Sequence, residues 1–100
     1  MIVYNETYIV DEAIHTQWLL WMQTLHLPAV LATGYFNSFH VLTVLDSPNE
    51  GVTYCVQFFT DDLEKLNQFN ATHAQQLMAN HQAQFENQFV MFNSVMEKLN

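Results

Sequence analysis

Lysine and arginine are nearly absent from this chain. Among its 100 residues, Lys65 and Lys98 are the only lysines, arginine is missing, and ten carboxylates give a formal net charge of −8 at pH 7. A protein that binds duplex DNA typically neutralises about 6 to 10 phosphates with basic side chains, and anionic membranes attract basic clusters. We therefore expect no nucleic-acid partner and no membrane association. Without a guanidinium for bidentate contacts, carboxylate and phosphate substrates are also disfavoured.

Cysteine, glycine and long apolar runs are equally scarce. Cys55 is the single cysteine, which excludes an intramolecular disulfide and gives no support to secretion. No apolar run approaches the ~20 residues of a membrane span, and no basic region of a signal peptide follows Met1. Gly34 and Gly51 stand alone, so no phosphate-binding glycine loop can be built. These observations predict a cytoplasmic protein.

Hydrophobic residues, in contrast, are abundant. They make up 50% of the chain, and only 12% of the residues are charged, against about 25% in an average domain. A chain of this length buries only about two-thirds of its unfolded surface when it folds alone. The surplus of apolar surface predicts coverage by a second copy, most simply in a two-fold homodimer.

Hydrophobic spacing divides the chain into four strands and two helices. One helix is predicted to begin at Asp11 as its N-cap and to end at Pro28, followed by one further turn that stops at Gly34. The second is predicted to begin near Asp61 and Asp62 and to run to the region of residue 85. The predicted strands span residues 2–10, 35–45, 52–60 and 88–96.

The order β-α-β-β-α-β predicts a single α+β domain over residues 1–100, of the ferredoxin-like class. Its antiparallel four-stranded sheet carries two helices on one face. The other face also needs a cover, because the strands are apolar on both parities, with Tyr4 and Phe58 on one and Val3 and Phe59 on the other. The second strand is expected at an edge, yet it lacks the lysines that protect exposed edges. Both features again predict a partner against the sheet.

Several segments resemble a known family. They are Tyr4-Asn5-x-Thr7, Trp18-x-x-Trp21-Met22-x-x-x-His26-x-Pro28-x-Val30-Leu31-Ala32-Thr33-Gly34-x-Phe36, Tyr54-x-Val56-Gln57-Phe58 and His81-x-x-x-Phe85-x-x-x-Phe89-Val90-x-Phe92. They are similar to a family of small bacterial proteins described as a domain of unknown function, which belongs to the dimeric α/β-barrel superfamily. The chain departs from that family at Gln75, where proline is common, and at Gln84, where a basic residue is common, which argues against a cationic site near the second helix.

The resemblance implies a fold and an assembly rather than an activity. In that superfamily, two ferredoxin-like sheets pack face to face, and this family has no established activity to transfer. Wider relatives include cofactor-independent oxygenases, haem-degrading enzymes and stress-response dimers. Because one fold hosts many chemistries, none of these activities follows from the resemblance.

Three of the candidate ligand-binding residues, Asn5, His40 and Gln57, lie on predicted strands, together with the polar Thr7 and Cys55. In one interpretation they orient a small apolar ligand through a few hydrogen bonds, inside a pocket between the sheet and its partner. In the other they are satisfied by each other, or by trapped water at the dimer interface. Cys55 itself, with no basic residue close in sequence, is expected to be a buried, inert thiol.

His26 and His81 are the other two candidates. Each lies toward the end of a predicted helix, where its imidazole either caps helix carbonyls or serves as an acid or base in a cleft. His73 and His81 share a helical face, but a zinc pair would need closer spacing, so we expect no metal and no cofactor. Trp18 and Trp21 are expected in the core.

Three functional hypotheses follow. The favoured one is a homodimeric ligand-binding or interaction module without catalytic activity. The second is a cofactor-independent oxygenase or isomerase that acts on a small apolar or aromatic compound, with His26, His40 or His81 transferring protons in an enclosed pocket. The third is haem or metal binding through histidine.

Overall fold

Four antiparallel strands form one sheet in the computed structural model, which describes residues 1–100. The strand order is β2-β3-β1-β4, so β2 and β4 are the edges. This architecture confirms the predicted ferredoxin-like α+β fold and the edge position of the second strand. The strands are β1 (Ile2–Val10), β2 (Ser38–Thr43), β3 (Val52–Thr60) and β4 (Phe89–Glu97).

The pleat of the strands sorts their side chains onto two faces. Tyr4, Glu6 and Tyr8 of β1 point toward the helices, and their partners on β3 point the same way, because Tyr4 lies opposite Phe58 and Tyr8 opposite Tyr54. We call this side the helix face. The opposite side, the open face, is covered by nothing within the chain. It exposes large apolar side chains, namely Leu42, Val90, Phe92 and Met96.

The first helical region runs through Pro28 without a break. It consists of α1 (His15–Trp21), a π-helical segment (Met22–His26) and α2 (Leu27–Ala32). Within it the N–H of Leu27 donates to the carbonyl of Met22, five residues back. This wider turn lies directly before the proline, which has no N–H and whose ring would otherwise crowd the preceding turn. The prediction that Pro28 ends the helix is therefore wrong.

The predicted ends of this region have mixed outcomes. Asp11 is not the N-cap, because its carboxylate accepts from the N–H of Ala13 in a turn that precedes the helix. The stop at Gly34 is confirmed: the residue has φ +85°, and its N–H donates to the carbonyl of Leu31.

The second helical region is divided at His73, so the prediction of one continuous helix is wrong. Its parts are α3 (Leu63–Thr72) and α4 (Ala74–Gln84), and His73 between them has φ −120° and ψ −30°. The predicted N-terminus is confirmed, because Asp62 accepts from the N–H of Lys65 at 2.9 Å. None of the helices has the length and apolarity needed to cross a membrane.

The core lies between the helix face and the helices. Trp18 is fully buried there and stacks on Tyr54, with 5.1 Å between ring centroids, while Trp21 packs at its border. Phe36 belongs to the same core, although it lies before β2 rather than within it. β2 is therefore shorter than the predicted strand over residues 35–45.

Candidate functional site

The sheet separates the five predicted ligand-binding residues into two groups. Asn5, His40 and Gln57 lie on the open face, in one row across the sheet: His40 is opposite Gln57, and Gln57 is opposite Asn5. His26 and His81 lie on the other side, buried between the helices and the sheet. The five residues therefore do not form a single site.

The polar groups of the open face bind one another. Gln57 Nε2 donates to Asn5 Oδ1 at 3.4 Å, and Asn5 Nδ2 donates to Thr7 Oγ1 at 3.0 Å. Thr7 Oγ1 also lies 3.6 Å from Cys55 Sγ, and this thiol is half-buried rather than buried as expected. The ring of His40 meets Phe59 edge-on at 4.8 Å. These contacts fit the interpretation in which the polar side chains hydrogen-bond one another better than the interpretation of a ligand site.

A small cavity lies on the helix face. Its volume is about 90 Å³. Glu6, His26 and Tyr4 are the lining residues with polar groups, and no lysine contributes. The remaining wall is apolar and consists of Val30, Phe58, Phe69, Ala74, Leu77 and Met78.

Glu6 is the buried acid of this cavity. It lies between Tyr4 and Tyr8 on β1, so the pleat turns all three side chains toward the helices. The Tyr8 hydroxyl donates to Glu6 Oε1 at 3.0 Å, and the Tyr4 hydroxyl faces the same carboxyl. Burial raises the pKa of Glu6 to about 7, although both hydroxyls oppose that rise by stabilising the anion. Burial and the adjacent carboxylate also raise the pKa of Tyr8.

His81 is held by a buried tryptophan. Trp18 Nε1 donates to His81 Nε2 at 2.8 Å, so the neutral imidazole carries its proton on Nδ1, and Nδ1 has no partner. The His81 and His26 rings lie 5.0 Å apart. Burial lowers the pKa of His26 to about 4. The pKa of His81 is lowered to about 3, mainly by burial and to a smaller extent by repulsion from His26. Both rings are therefore neutral at pH 7.

The capping interpretation of His26 is wrong, because the helix continues beyond it to Ala32 and its ring instead stacks on Trp21 with 5.1 Å between centroids. His81 likewise uses its Nε2 for Trp18 and not for a helix carbonyl. No three histidine, cysteine, aspartate or glutamate side chains converge closely enough to hold a metal ion.

Two residues of the cavity region, Glu6 and Tyr8, were missed by sequence reasoning. The signal was partial: Glu6 shares the strand parity of Tyr4 and Tyr8, but apolar residues occupy both parities of the strand, so parity alone does not identify the buried face. Chemically, a carboxyl with a pKa of about 7 is divided between acid and base at neutral pH. It can accept a proton from a bound molecule and return it, which is the property that general acid–base catalysis requires.

The architecture defines the class of protein: a ferredoxin-like α+β domain of the kind found in dimeric α/β-barrel proteins. The chain belongs to the family described as a domain of unknown function, DUF4286, whose model matches residues 1–99. The family suggested by the sequence motifs is thereby confirmed. None of the curated proteins matches the chain.

Solved structures share the whole fold at low sequence identity. SnoaB, described as a cofactor-independent oxygenase from Streptomyces nogalater, has a TM-score of 0.73 and 10% identity over 99% of this chain and 93% of its own. HapK from Hahella chejuensis has a TM-score of 0.73 and 16% identity over the same shares. A dimeric ferredoxin-like protein from an uncultured marine organism has a TM-score of 0.72 and 8% identity over 99% and 94%. At these identities the likeness shows the fold.

Proposed function

We propose that this protein is a cofactor-independent enzyme that transfers a proton on a small, uncharged, largely apolar compound bound between the sheet and the helices. The observation that carries the proposal is the Glu6 carboxyl, buried on the wall of a cavity and hydrogen-bonded by Tyr8. Its pKa of about 7 suits an acid–base group at neutral pH.

Each polar group of the cavity has a role in this proposal. Glu6 removes a proton from an activated C–H or O–H bond, and the electron pair of that bond stays on the substrate. His26, neutral at pH 7 and on the same wall, donates a hydrogen bond to the substrate oxygen on which negative charge develops. Tyr8 fixes the orientation of the carboxyl.

Two outcomes of this first step are chemically balanced. Protonated Glu6 can return its proton to another carbon of the substrate, which is an isomerisation. Alternatively, the deprotonated carbon adds to O₂, which accepts the electron pair as a C–O bond forms, and Glu6 returns its proton to the resulting peroxide anion to give a hydroperoxide. The likeness in fold to SnoaB, described as a cofactor-independent oxygenase, supports including the second outcome.

The walls indicate an uncharged substrate. The lining contains no lysine, and Lys65 lies at the surface, 3.6 Å from the carboxylate of Asp61. An anion would therefore meet a carboxyl with no compensating charge. Apolar side chains from the sheet and the helices form the rest of the wall, and this favours a hydrocarbon body with one polar end.

A non-catalytic ligand-binding or interaction module is the second candidate. The cavity of about 90 Å³ supports it, because a small ligand can be held there whether or not a reaction follows. We also propose a homodimer formed through the open face, supported by its exposed apolar side chains and by the fold shared with a dimeric ferredoxin-like protein. A cytoplasmic location, inferred from the single cysteine, belongs to the same proposal.

Deuterium exchange tests the catalytic proposal. Acetone, cyclopentanone and nitroethane are incubated with the protein in D₂O, and loss of the C–H signal is followed by NMR. Wild type should accelerate exchange of at least one of them, with a rate that rises across roughly pH 6 to pH 8 as Glu6 ionises. Glu6→Gln should reduce the rate to that of buffer, whereas His40→Gln, changed on the open face, should leave it unaltered.

Two outcomes would overturn the assignment of Glu6 as the base. One is exchange by Glu6→Gln at the wild-type rate. The other is a wild-type rate equal to that of buffer while the same compounds perturb the fluorescence of the protein's tryptophans, which would establish the non-catalytic binding module instead.

A further inference from the structure

One side chain forms the wall between two spaces. Met78 of α4 lines the small cavity that contains Glu6, and it also lines a wide groove of about 720 Å³ on the outside of the molecule. This groove lies between α4 and β4. Phe85, Phe89 and Met91 supply apolar side chains to it, and Gln82 and Glu86 contribute polar ones.

The most exposed part of the cavity wall lies on the α4 side. The wall residues contributed by β1, β3, α3 and the first helical region are buried, whereas Ala74, Leu77 and Met78 of α4 are half-buried. Among these three, Met78 alone also contacts the groove. A route from the groove to Glu6 therefore passes the Met78 side chain.

Methionine suits such a position. Its unbranched side chain has three rotatable bonds and changes conformation at low cost. The break at His73 also separates α4 from α3, so the two helices are not one rigid rod. Rotation of the Met78 side chain would join the cavity of about 90 Å³ to the groove of about 720 Å³.

We propose that Met78 is the gate of the site, and that the ligand is an elongated, uncharged aromatic molecule that occupies the cavity and the groove together. Its polar end lies beside Glu6, and its second ring lies in the groove against Phe85, Phe89 and Met91. The identity of the reacting end rests on the function proposed above. The gate rests on the position of Met78 between the two spaces.

Calorimetric titration with phenol and 4-phenylphenol tests the gate. These ligands share the polar end and differ by one ring. Met78→Ala should strengthen binding of 4-phenylphenol on the order of tenfold relative to phenol, because the path between the two spaces opens. Met78→Phe should weaken it by a similar factor. Met96→Ala, which truncates a methionine on the open face, is the matched control and should leave the ratio unchanged.

The gate is wrong if Met78→Ala and Met78→Phe change the affinities for both ligands by equal factors, or if Met96→Ala shifts the ratio as much. Should Met78→Ala fail to fold, Met78→Leu carries the test, because it keeps the volume and removes the flexible thioether. It should slow association of 4-phenylphenol more than that of phenol, and equal slowing would exclude the gate.

Failure of the gate is distinguishable from failure of the proposed function. Calorimetry does not depend on proton transfer, and deuterium exchange of acetone does not depend on a second ring. Loss of exchange in Glu6→Gln with no size effect at Met78 would reject the gate alone. A size effect at Met78 with wild-type exchange in Glu6→Gln would reject Glu6 as the base and leave the gate standing.

Discussion

The indole N–H of Trp18 donates a hydrogen bond to Nε2 of His81 across 2.8 Å, and both side chains are fully buried. This bond connects α1 to α4 by a specific polar contact inside the core. It also fixes the orientation of the imidazole, which stacks on Phe89 with 4.1 Å between ring centroids. This orientation leaves the Nδ1 of His81 buried without a hydrogen-bond partner.

The two single substitutions of this pair should together cost more stability than the double substitution does. Trp18→Phe leaves His81 without its donor, and His81→Phe leaves a buried indole N–H without an acceptor. Each orphaned group costs about 1–3 kcal/mol in addition to the change in packing. The double variant orphans neither group, so its loss in unfolding free energy should be at least about 2 kcal/mol smaller than the sum of the single losses. Urea denaturation at fixed protein concentration measures this coupling, and strictly additive losses would contradict it.

The pH dependence of stability should report the buried carboxyl of Glu6. Its pKa in the folded chain, about 7, lies above the ordinary value of 4.5, so the folded protein retains a proton that the unfolded chain releases between these values. Ionisation therefore destabilises the fold progressively as pH rises from 4.5 to 7, by roughly 3 kcal/mol at the upper end. Glu6→Gln stays uncharged, and its unfolding free energy relative to wild type should rise across this window and level off above it.

His26 and His81 act in the opposite direction, because their pKa values are lowered and stability is lost as pH falls below 6.5. Wild type and Glu6→Gln share this effect, so it cancels when their unfolding free energies are compared. Tyr8→Phe provides a check. The Tyr8 hydrogen bond lowers the pKa of Glu6, so its loss should raise that pKa and extend the pH range over which stability falls to higher pH. A difference between Glu6→Gln and wild type that does not vary with pH would show that the carboxyl is hydrated in the folded protein.

The strands were predictable, because their β-branched and aromatic residues are a local signal, and the succession β-α-β-β-α-β then indicated the ferredoxin-like sheet. Helix boundaries at Asp11, Pro28 and His73 were not. The helix continues through Pro28 because Trp18, Met22, Leu27 and Val30 are all buried around it, and a π turn accommodates the ring. Tertiary packing of this kind overrides the intrinsic cost of proline, and no local pattern reveals it.

The candidate site was predictable only in part. His26 was recognised as a candidate acid or base, and strand parity groups Glu6 with Tyr4 and Tyr8 without showing that this face meets the helices. That the rings of His26 and His81 would meet depends on which faces of two distant helices pack together, which sequence spacing alone does not determine. Asn5, His40 and Gln57 were correctly placed on strands, but hydrogen bonds within the sheet occupy Asn5 and Gln57: Gln57 donates across the strands to Asn5, and Asn5 donates along its own strand to Thr7.

Alanine at the two glycines should have unequal costs. Both have positive φ, +85° at Gly34 and +87° at Gly51, so each substitution carries a conformational penalty of roughly 1–2 kcal/mol. A Cβ at Gly34 meets nothing within 4 Å, whereas at Gly51 it would lie 2.5 Å from the carbonyl oxygen of Val10. Gly51→Ala should therefore destabilise the protein by about 1–3 kcal/mol more than Gly34→Ala. Equal urea midpoints for the two variants would mean that the start of β3 moves freely away from Val10.

A lysine on the open face should dissociate the proposed homodimer. Phe92 is 56% exposed in the single chain and lies on that face among other apolar side chains. In a sheet-to-sheet dimer it becomes buried, and a charge placed there without a partner is costly. Sedimentation at micromolar concentration should give twice 11.7 kDa for wild type and 11.7 kDa for Phe92→Lys. Leu20→Lys, at a position 62% exposed on α1, tests whether any added lysine has this effect and should leave the dimer intact. A wild-type protein that sediments as a single chain would mean that the open face tolerates water, and equal dissociation of both variants would place the contact elsewhere.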